Sequence, residues 1–154
     1  MNKIKPLIEL IQEIDNLKTI GKKIVFTNGC FDIIHAGHIK VFREAKAKGD
    51  VLVVGLNSDI SIQSIKGNKR PIIEQSARAE VIEALDMVDY IVFFDDDTPY
   101  ETIKAIKPDY LVKGGDWKKE DIIGSDLVKD VVSVSLKEGF STTSIINKIL
   151  NVYG

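Results

Sequence analysis

Short apolar runs alternate with amphipathic helices along this chain, and this alternation limits the folds that it can adopt. Residues 23–28 and 50–57 are near-continuous apolar runs, typical of strands that are covered on both faces. The segment between them, 39–48, has apolar residues at helical spacing and ends at a glycine. Further strands are predicted at 90–94, 110–113 and 131–135. The sequence therefore predicts an α/β fold: a Rossmann-like, open, mainly parallel five-stranded sheet with helices on both faces.

The length of 154 residues suits one domain with one sizeable core. We predict a single domain over residues 1–154, with an N-terminal helix within 1–22 and the functional core within 23–150. Apolar residues from Leu7 to Leu17 recur at helical spacing and form a wide stripe on the first helix. This stripe could cover the sheet or a partner subunit, so the sequence leaves a homodimer open.

The overall charge narrows the range of partners. A net charge of -2 gives the whole molecule no attraction to nucleic acid or to a membrane surface. No apolar run approaches membrane-spanning length, and the first residues do not resemble a signal peptide. The single cysteine, Cys30, excludes an internal disulfide. We therefore expect a cytoplasmic protein with no nucleic-acid or membrane partner.

Several helix starts are indicated by capping residues. Ser76 is expected to cap the helix that buries Val81 and Ile82, and residues 98–101 have the pattern of a capping box with proline at the first helical position. Ser141 is expected to cap a final helix whose isoleucines, Ile149 among them, face inward. These caps predict helices after the second, third and fifth strands.

The two histidines of the chain lie three residues apart, where the first strand leads into a helix. His35 and His38 face the same side of a helical turn, and Gly37 between them leaves room for a phosphate to approach the backbone. Each imidazole can donate a hydrogen bond to a phosphate oxygen, and the free N–H groups of the first helical turn can donate more. A structural or zinc-binding role is the alternative, but zinc would need a further ligand. This pattern favours a nucleotide-handling site.

Other polar segments also follow predicted strands, and ligands of open parallel sheets bind beyond those strand ends. These segments are 27–32, 57–59, 113–117 and 138–143. Three consecutive hydroxyl residues, Ser141 to Thr143, exceed what a helix cap needs, so we interpret them as a second phosphate site. The basic segment 66–71 is interpreted as a mobile loop whose Lys66 closes over the α-phosphate, although a solvated loop is the more common outcome for such a run.

The segment after the fourth predicted strand holds a carboxylate and the only tryptophan. Asp116 could bind hydroxyl groups, and Trp117 could form a platform for a base or a sugar, the alternative being partial core packing. Cys30 has no base partner in this interpretation, so we expect a small buried side chain rather than a nucleophile.

Residues 29–38 resemble the first signature of the histidine-containing nucleotidyltransferase superfamily, and residues 140–145 resemble its second. Within that superfamily, the chain is most similar to the heptose 1-phosphate adenylyltransferases. The matching blocks cover most of residues 23–150; they are 26–32, 55–59, 66–67, 70–71, 97–99 and 111–116. The histidine motif points only to the superfamily, whereas the block at 111–116 and the lysine loop point to the heptose branch.

The resemblance implies transfer of AMP from ATP to D-glycero-β-D-manno-heptose 1-phosphate, with Mg²⁺ held mainly by the phosphates and by no protein side chain. It implies a direct in-line attack of the sugar phosphate on the α-phosphorus. The implied catalytic residues are His35, His38 and Lys66. The implied nucleotide-binding residues are Thr27, Asn28, Gly29, Cys30, Phe31, Gly37, Gly114, Ser141, Thr142 and Thr143. The implied sugar-phosphate-binding residues are Asp32, Arg70, Lys113, Asp116 and Trp117.

Two other functions stay open. A glycerol-3-phosphate cytidylyltransferase, or another nucleotidyltransferase with a small substrate, would share the histidine motif and the Ser-Thr-Thr segment. A nucleotide-binding module without turnover is the remote alternative, because a pure binder needs neither both histidines nor the lysine loop. The choice between ATP and CTP cannot be inferred from the residues.

Overall fold

The computed structural model describes residues 2–154, which form one five-stranded sheet flanked by helices. Every strand pair is parallel, and the strand order is β3-β2-β1-β4-β5. The prediction of a mainly parallel five-stranded sheet is therefore confirmed. The strands are β1 Ile24–Gly29, β2 Val51–Asn57, β3 Tyr90–Phe94, β4 Tyr110–Gly114 and β5 Asp130–Val134.

Residues 2–154 contain six α-helices: α1 precedes the first strand, α6 follows the last one, and the other four connect strands. Two short 3₁₀ turns, Lys119–Asp121 and Ser125–Leu127, lie between β4 and β5. None of the helices in residues 2–154 has the length and apolar character needed to cross a membrane. The helices are α1 Leu7–Thr19, α2 Ala36–Lys46, α3 Asp59–Lys66, α4 Gln75–Glu83, α5 Tyr100–Ile106 and α6 Thr142–Tyr153.

Hydrophobic residues are buried on both faces of the sheet, because successive strand side chains point to opposite faces. Val25 belongs to the cluster that packs against α2 and α4, whereas its neighbour Phe26 belongs to the cluster under α1 and α5. Leu10 and Ile14 of α1 are fully buried in that second cluster. The apolar stripe of the first helix therefore covers the sheet of its own chain.

The chain reverses its direction of winding next to the central strand. It runs outward from β1 through β2 to β3, and then returns to place β4 on the other side of β1. In such sheets a crevice opens where the helices leave the two sides of the sheet in opposite directions, at the carboxyl ends of the strands. The crevice between the ends of β1 and β4 is thus the expected ligand position, and the histidine segment begins there.

Several predicted helix starts differ from the structure. Helix α2 begins at residue 36, because His35 itself caps it. Helix α4 begins after Glu74, with the Ser76 hydroxyl bonded to the Glu74 carboxylate instead of the backbone. The predicted capping box at 98–101 is wrong: Pro99 precedes α5, and no side-chain cap forms there.

Two side chains that were predicted to face inward are exposed. Val81 of α4 is 47% exposed and Ile149 of α6 is 50% exposed. Helix α4 presents Arg78, Ala79 and Ile82 to the protein interior, which turns Val81 outward. Helix α6 has no buried residue, so its apolar side chains make only partial contact with the rest of the chain.

Candidate active site

A cavity of about 550 Å³ opens at the carboxyl ends of the strands. Its walls come from the ends of β1, β2 and β4, from the turn after β3, and from the start of α6. Sixteen of the eighteen predicted site residues line it: Thr27, Asn28, Gly29, Cys30, Phe31, Asp32, His35, Gly37, His38, Lys66, Arg70, Lys113, Gly114, Ser141, Thr142 and Thr143.

The two histidines cap the helix that they begin. The Gly37 N–H donates to His35 Nδ1 at 3.0 Å, and the His35 N–H donates to His38 Nδ1 at 3.3 Å. A ring nitrogen that accepts from an N–H is unprotonated, so each neutral imidazole carries its hydrogen on Nε2. The reciprocal cap thus sets one tautomer for both rings and leaves two Nε2–H donors for a ligand.

The same capping arrangement changes the role of the helix backbone. The His38 N–H donates to the His35 carbonyl at 3.0 Å, and the Gly37 N–H is already bonded to the His35 ring. These donors of the first turn are therefore used by the protein. The imidazole N–H groups, more than these backbone N–H groups, are therefore left to donate to a ligand, whereas the sequence predicts donors of both kinds.

Packing holds both imidazoles in the neutral form. The rings of His35 and His38 stack with centroids 3.7 Å apart, and the edge of Phe31 meets His38 at 5.3 Å. Burial, together with the charge of the neighbouring ring, lowers the pKa of His38 to about 4. Burial also lowers the pKa of His35. Near neutral pH the pair therefore donates hydrogen bonds without carrying charge.

Gly37 is required by the ring of His35. A Cβ atom at residue 37 would lie 2.8 Å from His35 Cε1 and 3.5 Å from the Phe140 carbonyl oxygen. The space that a side chain would occupy is filled by the capping imidazole. In this structure, the absence of a side chain at residue 37 allows the cap to form.

The start of α6 brings hydroxyl groups to the same cavity. Ser141 Oγ accepts from the Ser144 N–H at 3.0 Å, and the Ser144 hydroxyl lies 3.1 Å from the Ser141 N–H, which forms a capping box. The Thr142 hydroxyl donates to the Asp32 carbonyl at 2.7 Å. Ser141 and Thr143 line the cavity. The Ser141 cap is confirmed, and its hydroxyl hydrogen stays available to a ligand.

Three cationic side chains, Lys66, Lys113 and Arg70, line the cavity. Lys66 is the last residue of α3 instead of a loop residue, and Arg70 is bonded through Nε to Asp32 at 2.8 Å. Burial lowers the pKa of Lys113, which lies near Cys30 and Lys66. Within residues 2–154, no salt bridge joins Lys66 or Lys113 to a carboxylate. Uncompensated cations in a cavity favour an anionic ligand.

Two predicted residues lie outside the cavity wall. Neither Asp116 nor Trp117 is one of the described residues that line the cavity. The Trp117 indole N–H donates to the Gly114 carbonyl at 3.0 Å, and the ring is 49% exposed. Lys113 Nζ lies 5.8 Å from the centre of that ring. Trp117 therefore packs beside Lys113 at the rim instead of entering the cavity.

A fully buried arginine supports the site from below. Arg78 is 1% exposed and donates to the carbonyls of Cys30, Asn57 and Ile73, and to the Asp59 carboxylate at 2.7 Å. It ties the ends of β1 and β2 to the start of α3. Sequence reasoning missed it, although Arg78 lies four residues before the buried Ile82 and thus on the inward face of α4.

The turn after β3 was also missed. Asp97, Thr98 and Pro99 line the cavity, and the Ser64 hydroxyl of α3 donates to Asp97 Oδ1 at 2.6 Å. The run at 95–97 resembles a solvated turn when it is considered alone. Its position directly after a parallel strand is the signal that could have identified it.

The chain belongs to the cytidylyltransferase-like family, which matches residues 26–148. This match confirms the predicted nucleotidyltransferase class, and the all-parallel sheet and the site at its carboxyl edge agree with it.

Individual relatives point in the same direction. The chain is 52% identical over 156 residues to the bifunctional protein HldE of Geobacter metallireducens, covering 99% of this chain and 32% of that protein. It is 57% identical over 129 residues to the HldE protein of Wolinella succinogenes, covering 84% and 27%. The chain thus spans about a third of the length of these curated relatives.

A solved structure is similar as well. The lipopolysaccharide core biosynthesis protein from Thermoplasma volcanium matches with a TM-score of 0.64 and 29% sequence identity. The match covers 77% of this chain and the whole of that one.

Proposed function

We propose that this chain transfers AMP from ATP to D-glycero-β-D-manno-heptose 1-phosphate, producing ADP-heptose and pyrophosphate. The observation that carries the proposal is the pair of stacked, neutral histidines whose Nε2–H groups face a cavity with several cations. An oxygen of the sugar phosphate forms a bond to the α-phosphorus of ATP. The bond from that phosphorus to the β-phosphate bridging oxygen breaks, and pyrophosphate leaves with the electron pair.

The histidines stabilise the charge that develops on the α-phosphate. Fixed donors aimed at a transition state need little reorganisation during the reaction, which makes them effective in a partly buried site. The cap holds both Nδ1 atoms, so the Nε2–H donors of His35 and His38 cannot switch tautomer without losing helix hydrogen bonds. No general base is needed, because a sugar phosphate is already ionised at neutral pH.

The cations and hydroxyls of the cavity bind the other phosphate groups of the two substrates. Lys66 neutralises the α-phosphate, and the start of α6 holds the leaving pyrophosphate through the hydroxyls of Ser141 and Thr143 and the backbone N–H of Thr142. The Thr142 hydroxyl itself donates to the Asp32 carbonyl. The floor formed by 27–31 and Gly114 accommodates the nucleotide. Arg70 and Lys113 bind the phosphate of the acceptor, and Asp116 and Trp117 extend that subsite at the rim.

Mg²⁺ fits this arrangement as an ion held mainly by phosphate oxygens. It prefers oxygen ligands and keeps several of its waters, and nucleotide sites hold it through few carboxylates. The cavity offers imidazoles, hydroxyls and cations, which suit the phosphates themselves, with Asp97 as an oxygen donor near the turn after β3. When bound, the ion would offset the charge of the triphosphate.

Two observations support heptose 1-phosphate as the acceptor. The blocks at 66–71 and 111–116 resemble the heptose branch, and the solved neighbour is described as a lipopolysaccharide core biosynthesis protein. The proposed reaction uses ATP, takes place in the cytoplasm and makes a precursor for lipopolysaccharide core or a related heptose-containing glycan. A homodimer stays part of the proposal, and the mass from light scattering tests it.

A second candidate is glycerol-3-phosphate cytidylyltransferase, which the cytidylyltransferase-like family match favours. Pyrophosphate release separates the candidates when ATP and CTP are each combined with heptose 1-phosphate and with glycerol 3-phosphate. We expect turnover with ATP and heptose 1-phosphate. Turnover only with CTP would contradict the heptose proposal, and turnover with no pair would favour a nucleotide-binding module.

A further inference from the structure

Asp32 lies directly before the histidine segment, but its carboxylate faces away from a ligand. The side chain is fully buried, with Oδ2 bonded to Arg70 Nε and to the Ile72 N–H, both at 2.8 Å. The Ile73 N–H donates to Oδ1 at 2.9 Å. Burial opposes ionisation, but these three donors outweigh it and lower the pKa of Asp32. The charged carboxylate therefore holds residues 70–73, which follow Lys66, in place through hydrogen bonds.

The backbone carbonyl of Asp32 bonds to the start of α6. The Asp32 carbonyl accepts the Thr142 hydroxyl at 2.7 Å, although 110 residues separate the two in sequence. Phe31 and Ile33, on either side, have φ angles of 47° and 55°, the left-handed region that non-glycine residues rarely adopt. Such backbone persists where surrounding contacts hold it in place. The turn directs the Asp32 side chain to one wall of the cavity and its carbonyl to the other.

We propose that Asp32 is a positioning residue that joins the three phosphate-facing segments: the histidine turn, residues 66–73 and the start of α6. The inference rests on the proposed function for its kinetic part, and it replaces the expected contact between Asp32 and the acceptor. Asp32 acts through Lys66 and Arg70 on one side and through Thr142 on the other. Its loss would displace groups that touch the substrates without removing any of them.

A double-mutant cycle separates positioning from contact. In Asp32→Asn, one carboxylate oxygen becomes an amide that faces a donor, which releases the 70–73 segment. We expect about a 10- to 100-fold loss of kcat, since displacements near 1 Å have effects of that size. In a Lys66→Met background the same change should cost at least about 3-fold less than it does in the parent protein, because one of the groups that it displaces is already absent. Losses that multiply, with a raised KM for heptose 1-phosphate, would contradict the inference.

Lys69→Met is the matched control for the lysine variant. Lys69 belongs to the same segment and is exposed outside the cavity wall. We expect its kcat to stay within about 2-fold of the parent protein, since it removes the same charge without removing a group at the phosphates. An equal loss in both lysine variants would show that the segment acts only through its charge and would contradict the inference.

Hydrogen exchange tests the structural link without substrate. Thr142→Val removes the hydroxyl that bonds the Asp32 carbonyl, and we expect exchange of the Ile72 and Ile73 amides to become at least about 3-fold faster. Thr143→Val, its neighbour, should leave these amides unchanged, as should the strand amide of Val53 in either variant. Unchanged exchange at residues 72 and 73 would overturn the link, even if Asp32→Asn fails to fold. A parent protein without any turnover would contradict the proposed function alone.

Discussion

The two walls of the cavity are held in very different ways. The wall beside β2 and β3 is fastened by buried charged groups: Arg78 makes four hydrogen bonds and Asp32 accepts three on its carboxylate. The wall beside β5 consists of residues 135–141 and α6, where Leu136 is 66% exposed and no helix residue is buried. The histidines lie between these walls.

In the proposed reaction, this difference gives each wall a distinct role. A wall with buried, fully paired charges keeps its geometry, which suits the cations that must align the acceptor phosphate. A wall with few buried contacts opens at low free-energy cost, which suits the entry of a nucleotide and the release of pyrophosphate. The hydrogen bond from the Thr142 hydroxyl to the Asp32 carbonyl joins the two walls directly.

The largest effect is expected from removing the buried cation. In Arg78→Met, the Asp59 carboxylate and three backbone carbonyls lose their donor, and the free energy of unfolding should fall by about 3–5 kcal/mol. Urea denaturation measures this change. Arg43→Met, at an exposed arginine of α2, should stay within about 0.5 kcal/mol of the parent protein.

The loosely held wall provides the contrast for that experiment. Ser141→Ala removes the side-chain cap of α6 and should cost about 1 kcal/mol. Comparable losses from Arg78→Met and Ser141→Ala would show that the two walls are held equally firmly and would contradict the difference between them.

A smaller effect concerns the histidines between the walls. The folded pKa of His38 is about 4, below its ordinary value of 6.5, so the unfolded chain binds more protons in that interval. The stabilisation is complete above pH 6.5 and decreases as the pH falls from 6.5 toward 4. NMR titration of the ring should show a midpoint well below 6.5 and a hydrogen on Nε2. A midpoint near 6.5 would contradict the neutral pair, and His38→Asn should remove this part of the pH dependence of unfolding.

Local patterns in the sequence predict the sheet and most of the cavity wall. The apolar runs predict strands because each strand is covered on both faces, and the strand ends identify the polar segments that meet. The hydrogen bonds of Asp32 and Arg78 could not be predicted, because each joins groups that are far apart in sequence. The Asp32 carboxylate is bonded to Arg70, Ile72 and Ile73, and the left-handed turn at residues 31–33 accompanies this orientation.

The partial packing of α6 could not be predicted from the sequence for a related reason. Its isoleucines have the spacing of a buried helix, but spacing alone does not show how much of the sheet remains to be covered. The role of Gly37 could not be predicted either, because it depends on the position that the His35 ring takes when it caps the helix.

The variant His38→Asn tests most directly whether the histidines stabilise the transition state as neutral donors. The Asn side-chain oxygen can still accept the His35 N–H, so the helix cap is kept while the Nε2–H donor is lost. Kinetics of pyrophosphate release, combined with calorimetry of ATP binding, should show kcat about 10²- to 10³-fold lower and a Kd for ATP within about 3-fold. Equal losses in kcat and in ATP affinity would show that His38 only binds the nucleotide and would contradict the account.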